Sequence, residues 1–180
     1  MGLICEGESE SYIFDTDTFK VFLATLNIEL IGIAETGSKN QYLGDRLIRY
    51  REILLDKGAE KIIALLDLDR DACITVTKQS VLPFDNQMVV VAVKEFENWY
   101  LADSGSLSRL LGREVYIEFP EADFEAFKTI AQLNRKGFSG SKPRLAMKMR
   151  ANGFSIENAA SHPNCPSANY FLTKLQSLRP

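Results

Sequence analysis

Acidic residues follow apolar runs at three separate places in the chain. Glu6 follows Leu3-Ile4-Cys5, Asp67 and Asp69 follow Lys61 to Leu66, and Glu95 and Glu97 follow Met88 to Val93. In open α/β sheets, ligands bind beyond the carboxyl ends of the strands, so strand-end residues are the first to inspect for chemistry. Carboxylates gathered from different strands repel one another unless a cation lies between them. Hard oxygen donors of this kind suit magnesium or manganese. Within Asp67-Leu68-Asp69, residues two apart on an extended strand point to one side, which would make the pair a clamp for one ion. A DxD by itself is equally at home as a helix cap or a solvated turn, and its meaning comes from the other strand-end acids.

The elements that must position these groups follow from periodicity. Leu3 to Cys5 reads as a short buried strand, followed by a polar segment and then Phe19, Phe22, Leu23 and Leu26 at helical spacing. Glu29 to Ile33 is strand-like, and Leu43, Leu47, Tyr50 and Leu54 recur on one helical face that Gly58 would end. The nearly continuous apolar runs before Asp67 and before Lys94 indicate strands covered on both faces. Strands alternating with helices predict an α/β domain over residues 1–105, with a mainly parallel sheet of about four strands flanked by helices. Residues 106–180 change character and predict a helical extension packed on the same body. Its helices center on Phe127 to Ala131, Pro143 to Met149 and Phe171 to Leu178, with Pro143 and Pro166 suited to first-turn positions.

Glu6-Gly7-Glu8-Ser9-Glu10 after the first strand and Asp67-Leu68-Asp69 after the third resemble the E-G-x-x-D/E and DxD signatures of the Toprim superfamily. That metal-binding, Rossmann-like fold is shared by topoisomerases, primases and OLD-class (overcoming lysogenization defect) nucleases. The resemblance covers about the first hundred residues. Glu97 to Asp103 is similar to a segment of small Toprim-like proteins, some associated with ATPase partners in bacterial phage-defence operons. The resemblance implies that Glu6 acts as general acid/base or as an added metal ligand, that Asp67 and Asp69 hold the ion, and that Glu10 and Glu97 ligate a second one. A pair of ions would stabilise both the attacking and the leaving oxygen of an in-line displacement. Glu95 and Asp71 are reserve ligands. OLD-class nucleases also carry a downstream glycine-and-lysine motif, and Lys142 at the end of Gly137 to Ser141 matches it, which gives Lys142 a role on developing phosphate charge.

Other chemistries fit less well. A topoisomerase needs a tyrosine nucleophile on a separate domain, and a haloacid-dehalogenase-type phosphatase places its DxD after the first strand. The Gly137 to Lys142 loop lacks the GxxxxGK[ST] pattern of a P-loop. Cys5, Cys73 and Cys165 have no CxxC spacing, which leaves neither a disulfide framework nor a cysteine zinc site. His162 and Cys165 are better explained as part of a proline-rich turn than as a catalytic couple.

Composition bounds the partners. The chain has 180 residues, 46% hydrophobic content and a net charge of -3, enough for one core but unlike a broad nucleic-acid-binding surface. Between Ala126 and Ile156 there is no acidic residue, while Lys128, Arg135, Lys136, Lys142, Arg144, Lys148 and Arg150 make a local cationic segment. That segment reads either as a phosphate contact or as a solvated helical face. No run of about 18 apolar residues and no charged leader are present, so a cytoplasmic protein without a membrane partner is expected. The leading reading is a magnesium- or manganese-dependent nuclease, a hydrolase acting on DNA ahead of RNA. An ATPase partner or homodimerisation would supply the missing binding surface, in the manner of an antiviral defence effector. The alternative is a non-catalytic Toprim-like module that binds a partner and uses the metal structurally. A small phosphohydrolase acting on nucleotides is a third.

Overall fold

The computed structural model describes residues 1–134 and 140–179, the Gln41 side chain excepted. The strand β1 (Gly2–Cys5) leads into α1 (Glu8–Phe14) and α2 (Asp17–Thr25), and β2 (Gly32–Glu35) leads into α3 (Lys39–Tyr42) and α4 (Asp45–Asp56). Next come β3 (Ile62–Asp67), α5 (Ile74–Ser80) and β4 (Gln87–Ala92). The remainder is helical: α6 (Glu97–Ala102), α7 (Ser104–Leu111), a 3-10 turn (Pro120–Ala122), α8 (Ala126–Leu133), α9 (Lys142–Ala151), α10 (Ile156–Ala160) and α11 (Pro166–Gln176). The four strands form one all-parallel sheet in the order β2-β1-β3-β4. This is the α/β architecture expected of a Rossmann-like or Toprim-like chain.

Side-chain alternation divides the interior into two layers. Leu3, Ile63, Leu65, Val90 and Ala92 face one side, where α1, α2 and the helices from α6 onward cover them. Ile4, Ile62, Ala64, Leu66 and Val89 face the other, beneath α3 and α4. Burial on both faces explains why β3 reads as a continuous apolar run. The register Leu65↔Val90 and Asp67↔Ala92 carries the alternation to the strand end, so Asp67 points into the α1, α6 and α9 layer with Leu65.

Several elements differ from the periodicity. The second strand begins at Gly32 rather than Glu29, because β1 pairs with Gly32–Glu35 while Ile28 and Leu30 pack into the first core without a ladder. Gly44 interrupts the helix expected through Leu43, giving α3 and α4, and Leu47 and Leu54 of α4 remain buried. Gly58 does end that helix, with φ +101. The polar segment after Glu6 is α1, a helix that turns Ser9 and Glu10 inward together with Ile13 and Phe14. Part of the expected basic segment and loop, Arg135 to Ser139, lies outside the described residues. No described helix is long and apolar enough to cross a membrane.

Ser167 joins the carboxy-terminal helices to α6 and the end of β4. Ser167 Oγ accepts the Trp99 indole N–H at 2.8 Å and the Val93 N–H at 3.2 Å, and donates to Glu121 Oε1 at 2.5 Å. Trp99 is fully buried, so Ser167→Ala leaves donors without an acceptor in the core. The expected loss is about 2 kcal/mol, measured by urea unfolding with the single tryptophan as reporter. A change within about 0.5 kcal/mol, the range of ordinary surface substitutions, would show that this junction does not hold the layers together.

Candidate metal centre

The order of the sheet determines which strand-end residues meet. β1 connects outward to β2 on one side, while β3 and β4 lie on the other, so the direction of winding reverses between β1 and β3. That reversal opens a crevice at the carboxyl ends, and Glu6 follows β1 there while Asp67 ends β3. The two are joined directly: the Asp67 N–H donates to Glu6 Oε1 at 2.9 Å. Glu10 reaches the same cleft from α1 and Glu97 from the first turn of α6. With Asp69 and Lys142, they line a hollow of about 330 Å³.

This cleft is electrostatically costly for anions. Glu10 and Glu97 are 5% and 1% exposed. Burial, with the charges of Glu97 and Glu6 added, pushes the Glu10 carboxyl up to about 8. Asp67 retains some exposed surface, yet its carboxyl lies deep among protein atoms. Desolvation there, followed by the charges of Glu10, Glu97 and Glu6, raises it well above the usual carboxylate range. Its Oδ1 accepts the Phe96 N–H at 2.8 Å, which fixes its orientation. Burial also raises Glu97, against the opposing pull of Lys142. Glu6 is raised by burial, and the hydrogen bond from Asp67 partly offsets this.

Two lysines counter the acidity. Lys142, the first residue of α9, places Nζ 3.1 Å from Glu97 Oε2 and 3.3 Å from Glu95 Oε2. Burial pulls its pKa down, but Glu97, Glu95 and Asp67 outweigh that and raise it. Lys39, the first residue of α3, caps the end of β3. Its Nζ donates to Asp67 O at 2.8 Å and Leu68 O at 3.0 Å, and pairs with Asp71 Oδ2 at 2.8 Å and Asp69 Oδ2 at 3.4 Å. Lys39 was not among the residues singled out by sequence. A signal existed, because Gly37-Ser38-Lys39 follows β2 and repeats the Gly140-Ser141-Lys142 that leads into α9.

The expected DxD clamp is corrected by the backbone. β3 ends at Asp67, and Asp69 has φ +53, so strand alternation does not set its direction. Asp69 N donates to Lys94 O at 2.7 Å, and Lys94 is itself left-handed at φ +65. Strand geometry therefore does not make the pair a clamp, although Asp67 and Asp69 both line the hollow. Asp71 pairs with Lys39 and Thr77 rather than joining the cluster. Glu97 lines the acidic hollow, whereas Glu95 lines the adjoining cleft, and Lys142 bridges them.

The donor chemistry fits a hard divalent cation: oxygen ligands only, held in desolvated surroundings beside the Lys142 and Lys39 ammoniums. As placed, no three Asp, Glu, His or Cys side chains among the described residues converge at ligand spacing. The Lys142 ammonium lies between Glu95, which follows β4, and Glu97 of α6.

The remaining described candidates do not line the acidic hollow. His162 Nδ1 accepts the Asn164 N–H at 3.1 Å within a turn, and its ring stacks on Tyr116. Cys5 and Cys165 are buried, and burial raises both thiols, which disfavours the reactive thiolate. Of the basic segment, Lys128 pairs with Glu125, and Arg150 lines a separate hollow with Glu8 and Asp15.

Comparison with protein-family models, with curated proteins and with solved structures finds no match to this chain. The functional reading therefore stands on the site itself.

Proposed function

We propose that this protein is a metal-dependent nuclease that hydrolyses nucleic-acid phosphodiesters at the cleft between β1 and β3. The observation that carries the reading is that Glu6, Glu10, Asp67 and Glu97 line one hollow at the topological switch point, with Lys142 paired to Glu97. Asp67 and Asp69 would hold a magnesium or manganese ion, with Glu10 and Glu97 as further ligands. When bound, the ion supplies Lewis-acid polarisation of the phosphate. Glu6, which accepts the Asp67 N–H, would take or give a proton, and water would be the nucleophile. Lys142 neutralises charge on the phosphate. DNA is the first polymer to test. A partner, such as an ATPase in a bacterial phage-defence setting, or homodimerisation would supply the broad nucleic-acid-binding surface that a net charge of -3 leaves lacking.

A second reading, a partner-binding module with a structural metal, is favoured by one surface. Val21 is 65% exposed beside an apolar hollow formed by Phe19, Phe22, Phe154 and Ile156.

The test is cleavage of supercoiled plasmid, single-stranded DNA and RNA with magnesium or manganese. Wild type is compared with an Asp67→Ala, Asp69→Ala double variant, with EDTA as control. Metal-dependent cleavage that the variant lacks is the expected result. Absence of cleavage with either metal would move the weight to the partner-binding reading.

A further inference from the structure

The acidic hollow continues, through Asp69 and Lys142, into a larger cleft of about 840 Å³ with different chemistry. Its cations fall into two groups. Lys39, Lys128 and Lys142 are each engaged by carboxylates. Arg70 and Lys94 form no ion pair among the described residues. Arg70 is exposed, and Lys94 lies over the ring of Phe124, with its ammonium 3.7 Å from the centroid.

Phe124 is 62% exposed, immediately ahead of α8, and Phe127 lines the same cleft. A large aromatic ring left in water beside cations without carboxylate partners matches the needs of an unstacked nucleobase and its phosphate. The base gains a ring to stack on, and the phosphate gains positive charge. The bases of a duplex are already stacked on one another, so they cannot use such a ring without being extruded. Lys94 reaches its place from a left-handed backbone, which disfavours an L residue by about 1 kcal/mol.

Resting on the nuclease reading, we propose that this cleft binds a single-stranded segment of the substrate. One nucleobase stacks on Phe124, the adjoining phosphate lies on Arg70 and Lys94, and the strand continues past Lys142 to the carboxylates. The protein thereby selects unpaired nucleic acid over duplex.

The test is fluorescence anisotropy in EDTA, where no cleavage occurs, with labelled oligothymidylate, oligouridylate and a duplex of equal length. Either single strand is expected to bind more tightly than the duplex, the better of the two identifying the preferred sugar. Phe124→Ala is expected to weaken single-strand binding about tenfold, whereas Phe124→Trp retains it. Arg70→Ala is expected to lower the dependence of log affinity on log salt by about one phosphate contact. Equal affinity for duplex, no binding of either strand, or unchanged binding by Phe124→Ala would overturn the proposal. Because Phe124 is exposed, its replacement leaves the core intact. Phe124-dependent binding without cleavage in any metal would remove the nuclease reading alone, while cleavage with Phe124-independent binding would remove this inference alone.

Discussion

In EDTA the protein is expected to lose stability as the pH is raised from 4.5 to about 8, the interval between the ordinary value of a glutamate and that of folded Glu10. Over that interval the folded state holds a proton on Glu10 that the unfolded state has released. Folding is therefore favoured at the acid end and progressively less so until the pH passes the folded value. Asp67, Glu97 and Glu6 are raised for the same first reason, burial, and act in the same direction. Asp71 acts oppositely: Lys39 and Thr77 depress it, so its contribution is present above 3.8 and lost only as the pH falls below that range. The expected decline is roughly 4 kcal/mol, on the order of 10 °C in Tm. Thermal unfolding between about pH 5 and pH 8 measures it, with Glu10→Gln flattening the curve and added manganese restoring stability most at the alkaline end. A wild-type curve that is flat or rises over this range would mean that the cluster is solvated.

Lys142→Ala is expected to produce the second large effect. Glu97 is almost wholly buried and would lose the ammonium 3.1 Å from its carboxylate, while Glu95 would lose the same partner. Removing one member of a buried pair costs about 3 to 5 kcal/mol, but the Lys142 side chain is 41% exposed and water screens part of the interaction. A loss of about 2 kcal/mol near pH 8 is the discounted expectation. The loss shrinks as the pH falls, because Glu97, raised by burial, takes up a proton instead. The variant should also bind manganese more tightly while cleaving more slowly, because a competing cation and a phosphate contact are removed together. Isothermal titration and cleavage rates read the two separately. Weaker metal binding by the variant would show that Lys142 orders the ligands rather than competing with the ion.

How far the site was legible from sequence depended on the kind of signal. Glu6, Asp67 and Glu97 follow apolar runs, and a parallel sheet carries such residues to one edge, so their meeting follows from strand order. Glu10 was placed by the resemblance to a signature, since α1 buries Ser9 and Glu10 and so shows no full apolar stripe. The geometry of Asp69 was hidden because a left-handed residue just past a strand leaves no periodic trace. Lys39 was obscured by ending the second strand at Ile33 instead of Glu35, which moved Gly37-Ser38-Lys39 away from the crevice. All six residues of α6 are buried, so that helix offers no amphipathic pattern. The cleft around Phe124 depends on β4 and the segment before α8 coming together, a long-range contact that local sequence does not encode.

The central claim is that these carboxylates form a divalent metal centre. It is tested most directly by isothermal titration of manganese into the metal-free protein at about pH 7, below the Glu10 value of about 8. Repeating the titration in buffers of different ionisation enthalpy counts the protons exchanged. The account predicts saturable binding with release of about one proton per ion, and loss of binding in Asp67→Asn. Absence of binding, or binding that survives Asp67→Asn without proton release, would contradict it.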